Sequence, residues 1–105
     1  IRVFRPFPAE ELAQVLSKCK AVAVLDRSEG FSACGGPLGA ETRSACYDLE
    51  NRPKMVNIVY GLGGRDCSVE DTERVFAHLE HIVETGELGS RYLHMGQRDL
   101  REEVL

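Results

Sequence analysis

The residues of this 105-residue chain with the most chemical promise lie in two glycine-rich stretches. The first, residues 28–39, carries Ser28, Ser32 and Cys34, with Gly35 and Gly36 beside the cysteine. A thiol here becomes a nucleophile if a base and a helix N-terminus lower its pKa. A helix is expected to start close by, but the nearest histidine in sequence is His78, so an ordinary thiol in a glycine-rich turn is the competing reading. The second stretch is Gly61-Leu62-Gly63-Gly64-Arg65-Asp66, placed after an apolar strand and before a helix, where open α/β sheets bind ligands. Backbone N–H groups could approach a phosphate there, for example that of coenzyme A, with Arg65 adding charge. Its spacing departs from G-x-G-x-x-G and no Gly-Lys-Ser/Thr follows, so a tight structural turn competes with phosphate binding. The candidate binding residues are therefore Ser28, Gly35, Gly36, Gly61, Gly63, Gly64, Arg65 and Asp66. No catalytic residue is assigned.

No metal site is expected. His78 and His81 share a helix at a spacing of three, but the apolar stripe expected on that helix turns both toward solvent and no third ligand is apparent. Cysteines 19, 34, 46 and 67 form no C-x-x-C pair. Cys19 and Cys46 fall on apolar helical faces, where free thiols behave as small hydrophobes. The pattern suits a reduced, cytoplasmic protein better than a disulfide scaffold.

The elements that must position these residues are legible from changes of period. Residues 1–4 alternate as a short strand, stopped at Arg5-Pro6. Leu12, Val15, Leu16 and Cys19 make one stripe of a first helix. Residues 21–25 are a continuous apolar run, the mark of a strand covered on both faces. A second helix carries Leu38, Thr42, Ala45, Cys46 and Leu49, and residues 55–60 are a strand interrupted only by Asn57. Ser68 with Asp71 resembles a capping box for a third helix, whose inward stripe is Val75, Phe76, Leu79, Ile82 and Val83 and whose C-cap is Gly86. Residues 91–93 are a last short strand, and the tail from 97 to 105 is charged. This order predicts an α/β fold: a three-layer α/β/α sandwich around a small, mostly parallel sheet of about four strands, occupying residues 1–96.

Composition agrees with one small domain. The apolar fraction is 43%, too high for a disordered chain, and the net charge of −4 argues against a nucleic-acid backbone as ligand. No apolar run approaches the roughly 20 residues of a membrane helix, so no membrane partner is expected.

Four strings taken together carry a family resemblance: Phe4-Arg5-Pro6-Phe7-Pro8, Ala23-Val24-Leu25-Asp26-Arg27-Ser28, Gly35-Gly36-Pro37-Leu38 with Glu41, and Tyr60-Gly61-Leu62-Gly63-Gly64-Arg65-Asp66. In this order they resemble the C-terminal, transketolase-C-like domain of the α chain of pyruvate:ferredoxin oxidoreductases, within the 2-oxoacid:ferredoxin oxidoreductase family. The resemblance is dense from residue 1 to 66 and looser to about residue 96. It implies an enzyme that oxidatively decarboxylates a 2-oxoacid with thiamine diphosphate, forms an acyl-CoA and passes electrons through iron–sulfur clusters to ferredoxin. It also implies that thiamine diphosphate, its Mg2+ and the clusters are held by other parts of the enzyme, and that this stretch packs between domains and subunits. The family's domain normally begins with a further strand and helix ahead of residues 1–4. Without that unit, an uncovered sheet edge or helix face is expected to promote self-association.

Overall fold

Six elements alternate along the chain in the computed structural model, which describes residues 5–27, 35–60 and 67–95. Helix α1 (Ala9–Leu16) leads into strand β1 (Ala21–Asp26), helix α2 (Pro37–Cys46), strand β2 (Lys54–Val59), helix α3 (Val69–Thr85) and strand β3 (Tyr92–His94). The α/β alternation is the one the sequence predicts. The strands form a parallel sheet in the order β1-β2-β3, with Ala21 opposite Lys54 and Asn57 opposite Tyr92. The sheet is thus three-stranded among the described residues, one strand short of the expected four. The strand expected at residues 1–4 and the tail from 97 to 105 lie outside the described residues.

Apolar side chains are buried on both faces of the sheet. On one face Val56, Ile58 and Leu93 meet Val75 and Ile82 of α3. On the other, Val24 and Met55 meet Cys46 of α2, with Leu16 of α1 packed alongside. The central strand β2 is buried at every position from Met55 to Val59, which is why its sequence is an unbroken apolar run around Asn57.

Two expected stripes are wider than the surfaces the sheet can cover. On α3, Val75 and Ile82 are buried, whereas Phe76 and Val83 are 62% and 45% exposed. Each exposed residue is one position on from a buried one, about 100° around the helix, so the stripe straddles the contact. On α1, Ala13 is the buried residue and Val15 is exposed. The helix ends at Leu16, so Cys19 lies beyond it and is exposed rather than packed.

The ends of α3 follow the sequence closely. Ser68 Oγ accepts the Asp71 N–H at 3.1 Å, the Asp71 carboxylate accepts the Ser68 N–H at 3.0 Å, and Gly86 closes the helix in the left-handed region. Arg74 also pairs with Asp71. The Ser68 N–H, then the Arg74 guanidinium, hold the Asp71 carboxyl below the usual carboxylate range. A carboxyl depressed in the folded state adds stability that is complete above its unfolded pKa and is lost as pH falls through the folded value. Thermal midpoints measured from neutral pH downward should therefore fall less steeply for Asp71→Asn than for the natural chain once the ordinary carboxyl range is reached. Parallel curves would show that Asp71 contributes nothing through its charge.

Candidate functional site

The carboxyl end of the sheet is organised around two buried polar residues, Asp26 at the end of β1 and Asn57 in the middle of β2. Helix α2 begins with Gly36 at its N-cap, a residue with no side chain to cap the first turn, and with Pro37 behind it. Asp26 caps the helix from the neighbouring strand. Its Oδ1 accepts the Leu38 N–H at 2.8 Å and its Oδ2 accepts the Gly39 N–H at 2.7 Å. These N–H groups are among those a helix N-terminus leaves unpaired, and the helix dipole favours an acidic group there. Asn57 completes the arrangement: its Oδ1 accepts the Gly36 N–H at 2.7 Å, and its Nδ2 donates to Val24 O and Asp26 Oδ2, both at 2.9 Å.

The glycines follow from this geometry. Gly35 has φ +126°, a conformation that L side chains rarely adopt. A Cβ on Gly39 would sit 2.3 Å from Asn57 Cγ. Gly35, Gly36 and the first turn of α2 therefore lie against the sheet as closely as backbone allows.

Of the sequence-predicted binding residues, Gly35 and Gly36 are found here, Gly35 against Asn57 and Gly36 against Asp26 with its N–H donated to Asn57. Ser28, Gly61, Gly63, Gly64, Arg65 and Asp66 lie outside the described residues, as does Cys34. Asp26 and Asn57 were not singled out as candidates in the sequence. The available signal was one amide inside an apolar strand and a third glycine, Gly39, three positions after Gly36.

A family model described as pyruvate:ferredoxin oxidoreductase core domain II matches residues 1–72. The chain belongs to this family. It is 41% identical over 88 residues to the ketoisovalerate oxidoreductase subunit VorA of Pyrococcus abyssi, covering 84% of this chain and 22% of that protein. It is 37% identical over 99 residues to the pyruvate synthase subunit PorA of Thermotoga maritima, covering 94% and 24% respectively. With the α subunit of the NADH-dependent phenylglyoxylate dehydrogenase of Aromatoleum evansii it shares 36% over 83 residues, covering 79% and 20%. The chain thus spans about a fifth to a quarter of the length of the curated relatives it matches.

Among the described residues the donor set does not suit an iron–sulfur cluster or Mg2+. An iron–sulfur cluster needs several thiolates converging on one point. Cys46 is buried against Val24 and Met55 on one face of the sheet, Cys67 packs on the cluster of Val56 and Ile58 on the other, and Cys19 is exposed. Burial raises the pKa of the Cys46 thiol, which makes it a poorer ligand still. Among the described residues no three His, Cys, Asp or Glu side chains come together in a way that would hold Mg2+. The histidines of α3 depart from expectation in one respect. His81 is exposed, but His78 is half-buried with its Nε2 enclosed and without a hydrogen-bond partner, so it does not turn to solvent. Burial first, and His81 second, hold its pKa below the usual histidine range.

Proposed function

We propose that this chain is a non-catalytic interaction domain of a 2-oxoacid:ferredoxin oxidoreductase, whose whole complex oxidatively decarboxylates a 2-oxoacid to an acyl-CoA and CO2 and reduces ferredoxin. The observation that carries this reading is the outer face of α3. Phe76, Leu79 and Val83 line a hollow with Ala21 at the start of β1, together with Glu80 and Glu84, and Phe76 and Val83 are exposed. Contiguous apolar surface of this kind on a small domain marks a place where another chain packs.

Two further observations support the reading. Asp26 and Asn57, the buried polar residues described at the carboxyl end of the sheet, where α/β folds bind ligands, are engaged with one another and with the α2 N-terminus. The relatives bear the names of ketoisovalerate, pyruvate and phenylglyoxylate enzymes and share 36 to 41% identity with this chain, which supports a role common to enzymes of different 2-oxoacids. On this reading thiamine diphosphate, Mg2+ and the iron–sulfur clusters are held by other parts of the enzyme. The setting is cytoplasmic, in keeping with the free described thiols. No helix among the described residues is long and apolar enough to cross a membrane. The domain is read as a three-layer α/β/α sandwich around a sheet of about four strands.

Phe76→Glu combined with Val83→Glu in the full-length subunit, co-expressed with its sibling subunits, tests the reading. Size-exclusion chromatography should show the assembled fraction falling several-fold while circular dichroism of the free subunit is unchanged. Assembly at the natural level would refute it. When the domain is produced alone, the same face is expected to drive self-association, and the two glutamates should abolish it.

A further inference from the structure

We propose that the hollow between the end of α2 and the start of β2 is an oxyanion site, and that its occupant in the assembled enzyme is a carboxylate side chain from a neighbouring chain. The hollow has a volume of about 180 Å3 and is lined by Arg43, Cys46, Tyr47, Arg52, Pro53 and Met55. It lies away from the α3 face described above.

Both arginines are held in place by neutral groups. Arg43 Nη2 donates to Met55 O at 2.6 Å, and Arg52 donates to Tyr47 O at 3.3 Å with its guanidinium 5.6 Å from the Tyr47 ring centre. The ion pairs among the described residues join Arg5 to Glu41 and Arg74 to Asp71, so neither Arg43 nor Arg52 has a carboxylate partner there. Asp48 borders an adjoining hollow with Arg43 but makes no ion pair with it. Arg43 is also half-buried. Burial first, and the nearby positive charge of Arg91 second, act against its charged form.

A partly desolvated cation beside other cations is costly until an anion reaches it, and a guanidinium fork is shaped to take two oxygens. Such a cluster, without a carboxylate partner among the described residues, calls for an anion. The volume selects its size. Small-molecule sites begin at roughly 300 Å3, so this one suits a single side chain or a small inorganic anion rather than a nucleotide. Tyr47, 70% exposed at the rim, selects the source, because exposed tyrosine beside arginine is the composition of interface centres. That the occupant comes from a neighbouring chain rests on the function proposed above; the oxyanion site does not.

Phenylglyoxal modification of the full-length subunit, read by mass spectrometry, tests both parts, with inorganic phosphate as the probe and the paired Arg74 as internal reference. In the free subunit, phosphate at about ten times its Kd should slow modification of Arg43 about tenfold. In the assembled enzyme, Arg43 should be as slow without phosphate. Arg43→Met should weaken assembly and flatten its dependence on salt, which steric covering alone would not do. Unchanged Arg43 reactivity with phosphate in the free subunit overturns the oxyanion site. Phosphate protection in the free subunit with undiminished reactivity in the complex overturns the carboxylate occupant. The phosphate experiment is read before any assembly, so its outcome is separable from that of the α3 substitutions.

Discussion

Asn57→Leu should be among the most damaging single substitutions in this chain. Leucine has the same branched shape, with a bulkier methyl group in place of each amide heteroatom, so no cavity forms, but three hydrogen bonds go at once. The Gly36 N–H loses its acceptor in a buried position, and Val24 O and Asp26 Oδ2 each lose a donor. An unsatisfied buried polar group costs about 1 to 3 kcal/mol, and the hydrophobic gain of a leucine 4% exposed offsets only part of that. A net loss of about 3 kcal/mol corresponds to a fall in thermal midpoint of roughly 12 to 24 °C for a domain of this size. Calorimetry of the two chains measures it. A loss below about 0.5 kcal/mol would mean that the amide fills space and ties nothing together.

Gly39→Ala should be of similar severity, for a steric reason. The added methyl would lie 2.3 Å from Asn57 Cγ, far inside the roughly 3.5 to 4.0 Å of ordinary carbon contact. Either Asn57 gives way and its bonds lengthen, or α2 lifts and the Leu38 and Gly39 N–H groups leave Asp26. Overpacking of this kind costs about 1 to 3 kcal/mol. The better helix propensity of alanine returns at most about 1 kcal/mol. The mechanism is separable from general helix damage. In the double variant with Asn57→Ala the methyl has room, so the combined loss should fall short of the sum by at least about 1 kcal/mol. Additive losses in denaturant titrations would contradict the close contact.

Much of this was legible in the sequence because the signals were local. The capping box at Ser68 and Asp71, the Gly86 stop and the apolar runs of β1 and β2 each depend on residues a few positions apart. Which part of an apolar stripe is covered depends instead on what lies opposite. Phe76 and Val83 therefore read as core and are exposed, and His78 read as exposed and is half-buried. The Asp26 and Asn57 arrangement was illegible for the same reason: its bonds span 12 to 33 residues. Gly35 and Gly36 were recognised as unusual from composition, but only the neighbouring strands show that they make room for an amide and a carboxyl group.

The claim that the carboxyl end of this sheet is structural rather than catalytic is tested most directly by Asp26→Asn in the intact oxidoreductase, comparing thermal stability with turnover per assembled complex. The substitution replaces one accepting oxygen with an amide that cannot accept the Leu38 or Gly39 N–H. The structural account predicts a clear drop in thermal midpoint, with kcat and KM for the 2-oxoacid within about twofold of the natural enzyme well below that midpoint. A tenfold or greater loss of kcat at unchanged stability, about 1.4 kcal/mol of transition-state stabilisation, would contradict it.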